Sequence, residues 1–311
     1  DQVARAVEQS GMRAGLSRTM LDRGDDSAAE REVAEGLAFA ERWAGRCSRI
    51  LPMLGPHAAY TCSDRLLRAA AGQARQRGLI LHMHLAESEY EQQVMRKRTG
   101  RTTVPHLERL GFFEGNRLLA AHALCLDDAD LDTLRTVDFH AAICATGKMN
   151  RGQGIADLLR LRAAGFNVCL GTDGSASDNL DVLMGMKVTH IAQNYLHGKV
   201  CALPPEAILQ MATENGARAL RWPMGRLAPG QLDDYILLEA TAPHLRPLIT
   251  QPRTNVDFNI VYYATGADVD SSVIDGRVVM EKREVLTIDE TVVLSSLQRR
   301  AQSLWERAGV G

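Results

Sequence analysis

Short apolar runs alternate with longer stretches of helical periodicity along the first 174 residues of the chain. Each run is rich in aliphatic residues and is followed by polar or small residues, as expected of a buried strand that ends in a loop. Between the runs, stretches such as 64–77 and 155–165 carry apolar residues at the spacing of one helix face. Repeated strand–helix units predict parallel strands joined by crossover helices. The six predicted strands are residues 12–18, 50–57, 78–87, 117–123, 138–144 and 167–174.

Most of these runs end in a polar side chain that could carry chemistry. These side chains are Arg18, His57, His84, His122 and Asp173. Barrel enzymes place their catalytic groups at the carboxyl ends of the barrel strands, whereas an open sheet concentrates them at one switch point. The pattern therefore favours an α/β fold of the (β/α)8 barrel type over an open doubly wound sheet. A complete barrel needs eight strands, and we count six.

A different organisation follows the sixth run. We predict a helix over 205–220, strands over 235–239 and 256–264, and a hairpin over 273–279. The pair Asp275-Gly276 suits the two positive-φ positions of a type I′ turn. A terminal helix begins near residue 289 and ends at Gly309. These strands predict a separate small β unit.

Charge and composition exclude several kinds of partner. The 36 basic and 38 acidic residues give a net charge of −2, which offers no basic surface for nucleic acid. No apolar run reaches the roughly 18 residues that a membrane span needs, so we expect no membrane contact. The six cysteines include no CxxC pair, which is typical of reduced thiols in a cytoplasmic protein. The chain opens without a methionine or a charged and apolar leader, so we expect no targeting segment.

The segment HMHLAE at residues 82–87 is the strongest chemical signal. Alternate strand residues share a face, so His82 and His84 point one way, and Glu87 can turn back over the site past the strand end. A neutral imidazole binds zinc, and a nearby carboxylate can move protons to and from a bound water. The segment therefore suits metal-assisted hydrolysis. The alternative is a pair of hydrogen-bonded core histidines and a surface acid.

Two further strand ends carry weaker signals. Asp173 lies in the segment LGTDG, where it could approach a metal closely, although such residues are more commonly turn or helix-cap aspartates. His122 ends the run LLAAH, where a single histidine is more often structural than catalytic. The order His-x-x-Glu, His, Asp over three strand ends favours one shared site.

Several longer segments carry a family resemblance, and they occur in one order over the whole chain. They are LHMHLAES (81–88), LLAAHALCLDDADLDTL (118–134), GIADLLRLRAAGFNVCLGTDGSASDNLDVLMGMK (154–187), ATENGARAL (212–220), GRLAPGQLDDYILLE (225–239) and VDSSVIDGRVV (269–279). In these segments the chain resembles the amidohydrolase superfamily. It is most similar to the ATZ/TRZ-like branch, which contains S-adenosylhomocysteine/methylthioadenosine deaminases and triazine hydrolases.

This resemblance implies a distorted (β/α)8 barrel with one divalent metal, usually zinc and sometimes iron. His84 would be a metal ligand, Glu87 the proton shuttle, and Asp173 both a ligand and a second proton acceptor. His122 would polarise or hold the attacking water. His82 would be a packed residue near the site and not a ligand.

The resemblance also implies a substrate and an activity. Arg18 and His57 would hold polar parts of the substrate. The chain would be a metal-dependent hydrolase of carbon–nitrogen bonds that deaminates a purine-, pterin- or triazine-like heterocycle. Its partners would be this small molecule and further copies of the chain, in a homodimer or higher homo-oligomer. A catalytically impaired or non-catalytic fragment of this fold, and a hydrolase whose leaving group is not an amine, remain alternatives.

The sequence departs from the family pattern in two places. No histidine precedes His57, so the HxH pair of the family's first strand has no counterpart and the six predicted strands correspond to strands three to eight. We therefore expect an incomplete barrel over 1–224, part of a small β-sandwich domain over 225–286, and a C-terminal helix over 287–311. Two of the implied ligands remain, and catalytic zinc sites usually have three protein ligands, so we expect poor activity or none.

The second departure is the segment AICATGKMN at residues 142–150. The family usually has a His-Cys-Pro-x-Ser-Asn type of segment here. Cys144 is kept, but the His, Pro, Ser and Asn are replaced. Because this segment lines the pocket in relatives, the sequence leaves the identity of the substrate open.

Overall fold

The computed structural model describes residues 1–176 and 179–309 of the chain. Its strands are short, and those of the first half alternate with helices as the apolar runs predict. The strands are β1 (Ala14–Leu16), β2 (Thr19–Met20), β3 (Ile50–Pro52), β4 (Gly55–Pro56), β5 (Leu81–Leu85), β6 (Arg117–His122), β7 (Asp138–Ile143), β8 (Asn167–Leu170), β9 (Tyr235–Leu238), β10 (Val269–Ile274), β11 (Arg277–Glu281) and β12 (Glu284–Val285).

The helices begin at capping side chains in several places. Ser63 and Ser88, for example, accept hydrogen bonds from backbone N–H groups of the first turn of the helices that follow them. No described helix combines the length and the apolar character that crossing a bilayer requires. The helices are α1 (Gln2–Ser10), α2 (Asp26–Trp43), α3 (Asp64–Arg77), α4 (Glu89–Thr99), α5 (Thr103–Arg109), α6 (Asp128–Leu134), α7 (Ala145–Asn150), α8 (Leu158–Ala163), α9 (Val182–His197), α10 (Pro205–Ala212), α11 (Glu214–Ala219), α12 (Val256–Tyr263) and α13 (Glu290–Ala308), with 3-10 turns at Pro243–Leu245 and Gly266–Asp268.

The strands of the first half form a parallel arc. Strands β5, β6, β7 and β8 pair in that order, and all three pairings are parallel. Strands β1 and β3 form a second parallel pair, and β2 and β4 a third. Bridges from Leu54 to Leu81 and from Ala58 to His84 join the segment around β4 to β5. Within the described residues the arc does not close, so it is an open form of the predicted barrel.

Alternation along β5 separates the core from the site. Leu81, Met83 and Leu85 are buried in the main hydrophobic core, which also contains Leu67 of α3 and Met95 of α4. Burying a side chain of this size stabilises the fold by about 1.5–3 kcal/mol. The intervening histidines therefore project from the opposite face of the strand, away from these apolar contacts.

The second half contains a four-stranded antiparallel sheet in the order β12-β11-β10-β9. The predicted hairpin between β10 and β11 is confirmed, with φ of 56° at Asp275 and 70° at Gly276. Arg13, which lies just before β1, contacts this sheet. Its Nε lies 2.6 Å from Asp234 Oδ2 and its Nη2 lies 2.9 Å from Asp275 Oδ1. The two halves of the chain are thus joined by a charged contact.

One predicted strand is wrong, because residues 256–264 contain helix α12 instead. The aromatic residues that suggested a strand pack as a helix: Phe258 and Tyr262 lie one turn apart and stack at 4.3 Å. Tyr262 also packs against His190 of α9, with ring centroids 4.7 Å apart. Contacts with neighbouring helices therefore override the β propensity of this sequence.

Other elements differ in their limits. The predicted strand 12–18 is shortened to β1, and β2 begins just beyond it. The predicted strand 50–57 is split into β3 and β4, and the predicted helix 205–220 is interrupted at Thr213. The terminal helix is confirmed as α13, whose amino end is capped by Asp289 and which is followed by Gly309 at a φ of 64°. None of its described side chains is buried.

Candidate active site

The loop after β5 turns Glu87 back over the strand ends. Ala86 adopts a left-handed backbone with φ of 48°, which is unusual for a residue other than glycine. The buried carboxylate of Glu91 holds this turn, because it accepts hydrogen bonds from Ala86 N at 3.2 Å and from Glu87 N at 2.7 Å. Thr103 Oγ1 donates a third hydrogen bond to the same carboxylate at 2.7 Å. Helices α4 and α5 thereby support the position of Glu87.

Three possible metal ligands meet at the ends of β5, β6 and β8. One donor atom each from His84, His122 and Asp173 lies within 4.8 Å of the other two. The two imidazole rings stack with centroids 5.3 Å apart. Two imidazoles and a carboxylate are a donor set that suits zinc and other divalent transition metals.

The surroundings of both histidines favour the binding of such a metal. The Nδ1–H group of His84 donates a hydrogen bond to the carbonyl oxygen of His57, with 2.9 Å between the nitrogen and the oxygen. The lone pair of Nε2 is then available to a metal. His122 is 3% exposed, and its Nδ1 is a buried atom with no hydrogen-bond partner among the described residues. Burial and the nearby Lys148 cation lower the pKa of His122 to about 4. The ring is therefore neutral at pH 7, the form that binds metals.

The carboxylate of Glu87 is held on both sides. The Tyr60 hydroxyl donates a hydrogen bond to Oε1 at 2.7 Å, and Lys148 Nζ donates one to Oε2 at 2.8 Å. The same Oε2 lies 3.7 Å from His122 Nε2. Burial opposes ionisation of this carboxyl, but the hydrogen bonds from Lys148 and Tyr60 outweigh it and lower its pKa to about 2. Glu87 is thus an anion beside the three possible ligands.

Comparison with known proteins identifies the family. The sequence profile of the Amidohydrolase family matches residues 1–279.

The chain belongs to the amidohydrolase family. The 5-methylthioadenosine/S-adenosylhomocysteine deaminase of Pelotomaculum thermopropionicum is 40% identical over 310 residues, which is 99% of this chain and 70% of that protein. The 5'-deoxyadenosine deaminase of Methanosarcina mazei is 37% identical over 309 residues, with the same two coverages. The resemblance drawn from the sequence is therefore confirmed.

Two solved structures share the fold of this chain. An adenosine deaminase from Xanthomonas campestris with bound zinc superposes with a TM-score of 0.86 at 24% identity, over 96% of this chain and 68% of that one. The atrazine chlorohydrolase TrzN from Arthrobacter aurescens TC1, complexed with zinc, superposes with a TM-score of 0.85 at 20% identity, over 95% and 67%. The chain thus shares the fold of these two solved structures.

The two residues predicted to bind substrate lie in different surroundings. His57 lies next to the group of possible metal ligands, because its ring centroid is 4.7 Å from that of His84. Arg18 instead pairs with Glu32 at 2.7 Å and with Glu35. It lines a surface cavity of about 450 Å³ whose lining includes neither His84 nor Asp173. The structure therefore brings His57, but not Arg18, to the possible metal ligands.

Sequence reasoning missed three residues that support the site. Lys148 and Tyr60 bind the carboxylate of Glu87, and Glu91 binds its backbone. A signal for Glu91 was present, since it lies four residues after Glu87 on the helix that follows the strand. Lys148 lies in the short helix α7 and Tyr60 in the turn before α3, and only the fold brings them here. His82 does not belong to the group of possible ligands found among the described residues.

Proposed function

We propose that this amidohydrolase hydrolyses the exocyclic carbon–nitrogen bond of an aminated heterocycle and releases ammonia. The identity of 37–40% to proteins named as adenosine-type deaminases favours a purine nucleoside over a pterin or a triazine. The absence of a disulfide among the described cysteines supports a reducing, cytoplasmic setting.

The position of Glu87 carries this proposal. Its ionised carboxylate lies 3.7 Å from His122 Nε2, at the edge of the group formed by His84, His122 and Asp173. A carboxylate in this place can accept a proton from an attacking water and pass it to a leaving group. The geometry thus joins a proton carrier to possible metal ligands.

We propose that His84 and Asp173 hold one divalent metal, most simply zinc, and that His122 holds the attacking water. The metal, when bound, would lower the pKa of a water to about 7. The carbonyl oxygen of His57 fixes the tautomer of His84. The His57 ring, whose centroid lies 4.7 Å from that of His84, would contact the substrate. The solved relatives that contain zinc support the choice of metal.

The reaction balances with one water per turnover. The water oxygen bonds to the ring carbon, and Glu87 takes the first water proton and gives it to the amine nitrogen. The carbon–nitrogen bond then breaks and ammonia departs. Asp173 accepts the second water proton as the carbonyl forms, and this proton ends on the adjacent ring nitrogen. His122 stabilises the charge that develops on the oxygen.

Replacing Glu87 tests the assignment. We expect Glu87→Gln to lower kcat for ammonia release by about 10²–10⁴-fold, because positioned proton transfer contributes an effect of this size. Glu89→Gln is the matched control, since Glu89 is exposed on α4 and pairs with Arg96 on its own helix. The assay would screen adenosine-type nucleosides, pterins and aminated triazines at constant metal supply.

Three results bear on the proposal. Full turnover by Glu87→Gln would contradict the role of Glu87. Release of chloride or of an alcohol, with no release of ammonia, would replace deamination by hydrolysis of a different leaving group. Elemental analysis of the purified protein should give close to one zinc or iron per chain, and His84→Ala should abolish it.

A further inference from the structure

Lys148 is buried in a way that lysines seldom are. It lies in the short helix α7 and is 5% exposed. A lysine is almost never buried without a partner, because removing its ammonium from water is costly. Its ionic partner here is Glu87 Oε2, at 2.8 Å. The cation therefore sits at the candidate active site.

The backbone of α7 fixes where this ammonium can reach. The Lys148 N–H donates to the carbonyl oxygen of Cys144 at 3.1 Å, and the Lys148 carbonyl oxygen accepts from Gln153 N at 2.9 Å. The side chain therefore starts from a hydrogen-bonded position just beyond the end of β7.

The ammonium and the Tyr60 hydroxyl hold opposite oxygens of Glu87. Tyr60 binds Oε1 and Lys148 binds Oε2, and the oxygen bound by Lys148 is also the one near His122. A glutamate side chain has three rotatable bonds, so without these contacts the carboxylate could leave the strand ends. Displacement of a reacting group by about 1 Å can cost roughly 100-fold in rate.

We infer that Lys148 is a positioning residue that keeps the proton-carrying oxygen of Glu87 beside His122. The inference rests on the proposed function, in which Glu87 moves protons. Lys148 itself transfers no proton and forms no bond. The competing interpretation is that the pair only compensates the burial of two charges.

The two interpretations differ in kinetics. We expect Lys148→Met to lower kcat by about 10–100-fold with KM changed less than about 3-fold, since the substrate-binding groups stay in place. Lys97→Met is the matched control, because Lys97 is exposed on α4, and it should behave as the unchanged protein.

A double variant shows whether Lys148 acts through Glu87. In the Glu87→Gln background, Lys148→Met should lower kcat by less than about 3-fold further, because the carboxylate it positions is already gone. A second full loss in that background would overturn the inference, as would a change in KM alone. If Lys148→Met does not fold, Lys148→Gln serves for the same comparison.

A structural readout separates this inference from the proposed function. Crystal structures of the unchanged protein and of Lys148→Met should differ in the rotamer of Glu87, with the carboxylate withdrawn from His122. An unmoved carboxylate would overturn the inference even if no heterocycle is turned over. If the carboxylate moves in Lys148→Met but the unchanged protein releases no ammonia from any heterocycle, the inference is supported and the proposed function is refuted.

Discussion

Several residues at the strand ends adopt left-handed backbone conformations, which residues other than glycine normally avoid. Ala86 has φ of 48°, His122 81°, Ala123 47° and Asp173 65°. Such conformations cost about 1–3 kcal/mol each and persist where the surrounding structure enforces them. They occur at three of the four strand ends of the β5–β8 sheet, and three of the four residues flank or form the possible ligand group. The local strain thus coincides with the site.

Glu91 is the residue that holds the first of these turns, and its replacement gives a pH-dependent prediction. Burial raises the pKa of Glu91 to about 7, outweighing its hydrogen bond from Thr103. The folded protein therefore keeps this proton at a pH where the unfolded chain has lost it. The raised pKa therefore stabilises the folded protein fully below about pH 4.5, which is the ordinary pKa of a glutamate. This stabilisation is lost as the pH rises through 7.

We expect Glu91→Gln to lower the free energy of unfolding by roughly 1–3 kcal/mol at pH 5, because both carboxyl oxygens accept hydrogen bonds and the amide nitrogen that replaces one of them cannot. This difference should narrow between pH 5 and pH 8. Denaturant unfolding at several pH values measures it, with exposed Glu108→Gln as the control. A difference that does not vary with pH would contradict the assignment of the raised pKa to Glu91.

At the scale of elements, two glycines give opposite predictions. Gly276 occupies a left-handed turn position with φ of 70°, whereas Gly185 lies inside α9 with open space where a Cβ would be. We expect Gly276→Ala to lower the free energy of unfolding by about 1 kcal/mol and Gly185→Ala to raise it by about 0.5–1 kcal/mol. Thermal unfolding of both variants tests this; an equal effect of the two would be inconsistent with the turn geometry.

The strands and turns of the fold are largely readable from sequence, because their signals are local. The run of apolar residues around His84 and the Asp275-Gly276 pair each specify an element without help from elsewhere. The helix at 256–264 could not be predicted in this way, because its aromatic residues are stabilised by contacts with α9. Tertiary packing, and not intrinsic propensity, determines that segment.

Part of the candidate site was also predictable from the sequence. His84, His122 and Asp173 lie at the ends of three of the four apolar runs that form β5 to β8, so their meeting follows from the parallel arrangement of these strands. The roles assigned to them remain predictions. Lys148 was not predictable, because a lysine five residues past a strand has no periodic signal. The pairing of Arg18 with Glu32 was equally hidden, since it depends on how α2 packs beside β2.

At the scale of the whole molecule, Arg13 connects the parallel arc to the antiparallel sheet. Its side chain is 5% exposed and that of Asp234 is 9% exposed. We expect Arg13→Met to lower the free energy of unfolding by about 3 kcal/mol, because it leaves a largely buried carboxylate without its cation. Limited proteolysis should then cut first between the two halves. Arg300→Met on exposed α13 is the control, and equal protease resistance of both variants would refute this role for Arg13.

The predicted domain limits at 224 and 286 remain predictions.

The exposure of α13 has a consequence for the timescale of its motions. An isolated helix of this length is only marginally stable in water, because most helical stability in proteins comes from packing of a buried face. None of the described α13 side chains is buried, and Asp289 caps its first turn. Its amide protons should therefore exchange with deuterium almost as fast as in a free peptide, whereas those of α3 should wait for the core to open. The chain would thus show two separate exchange regimes within one fold.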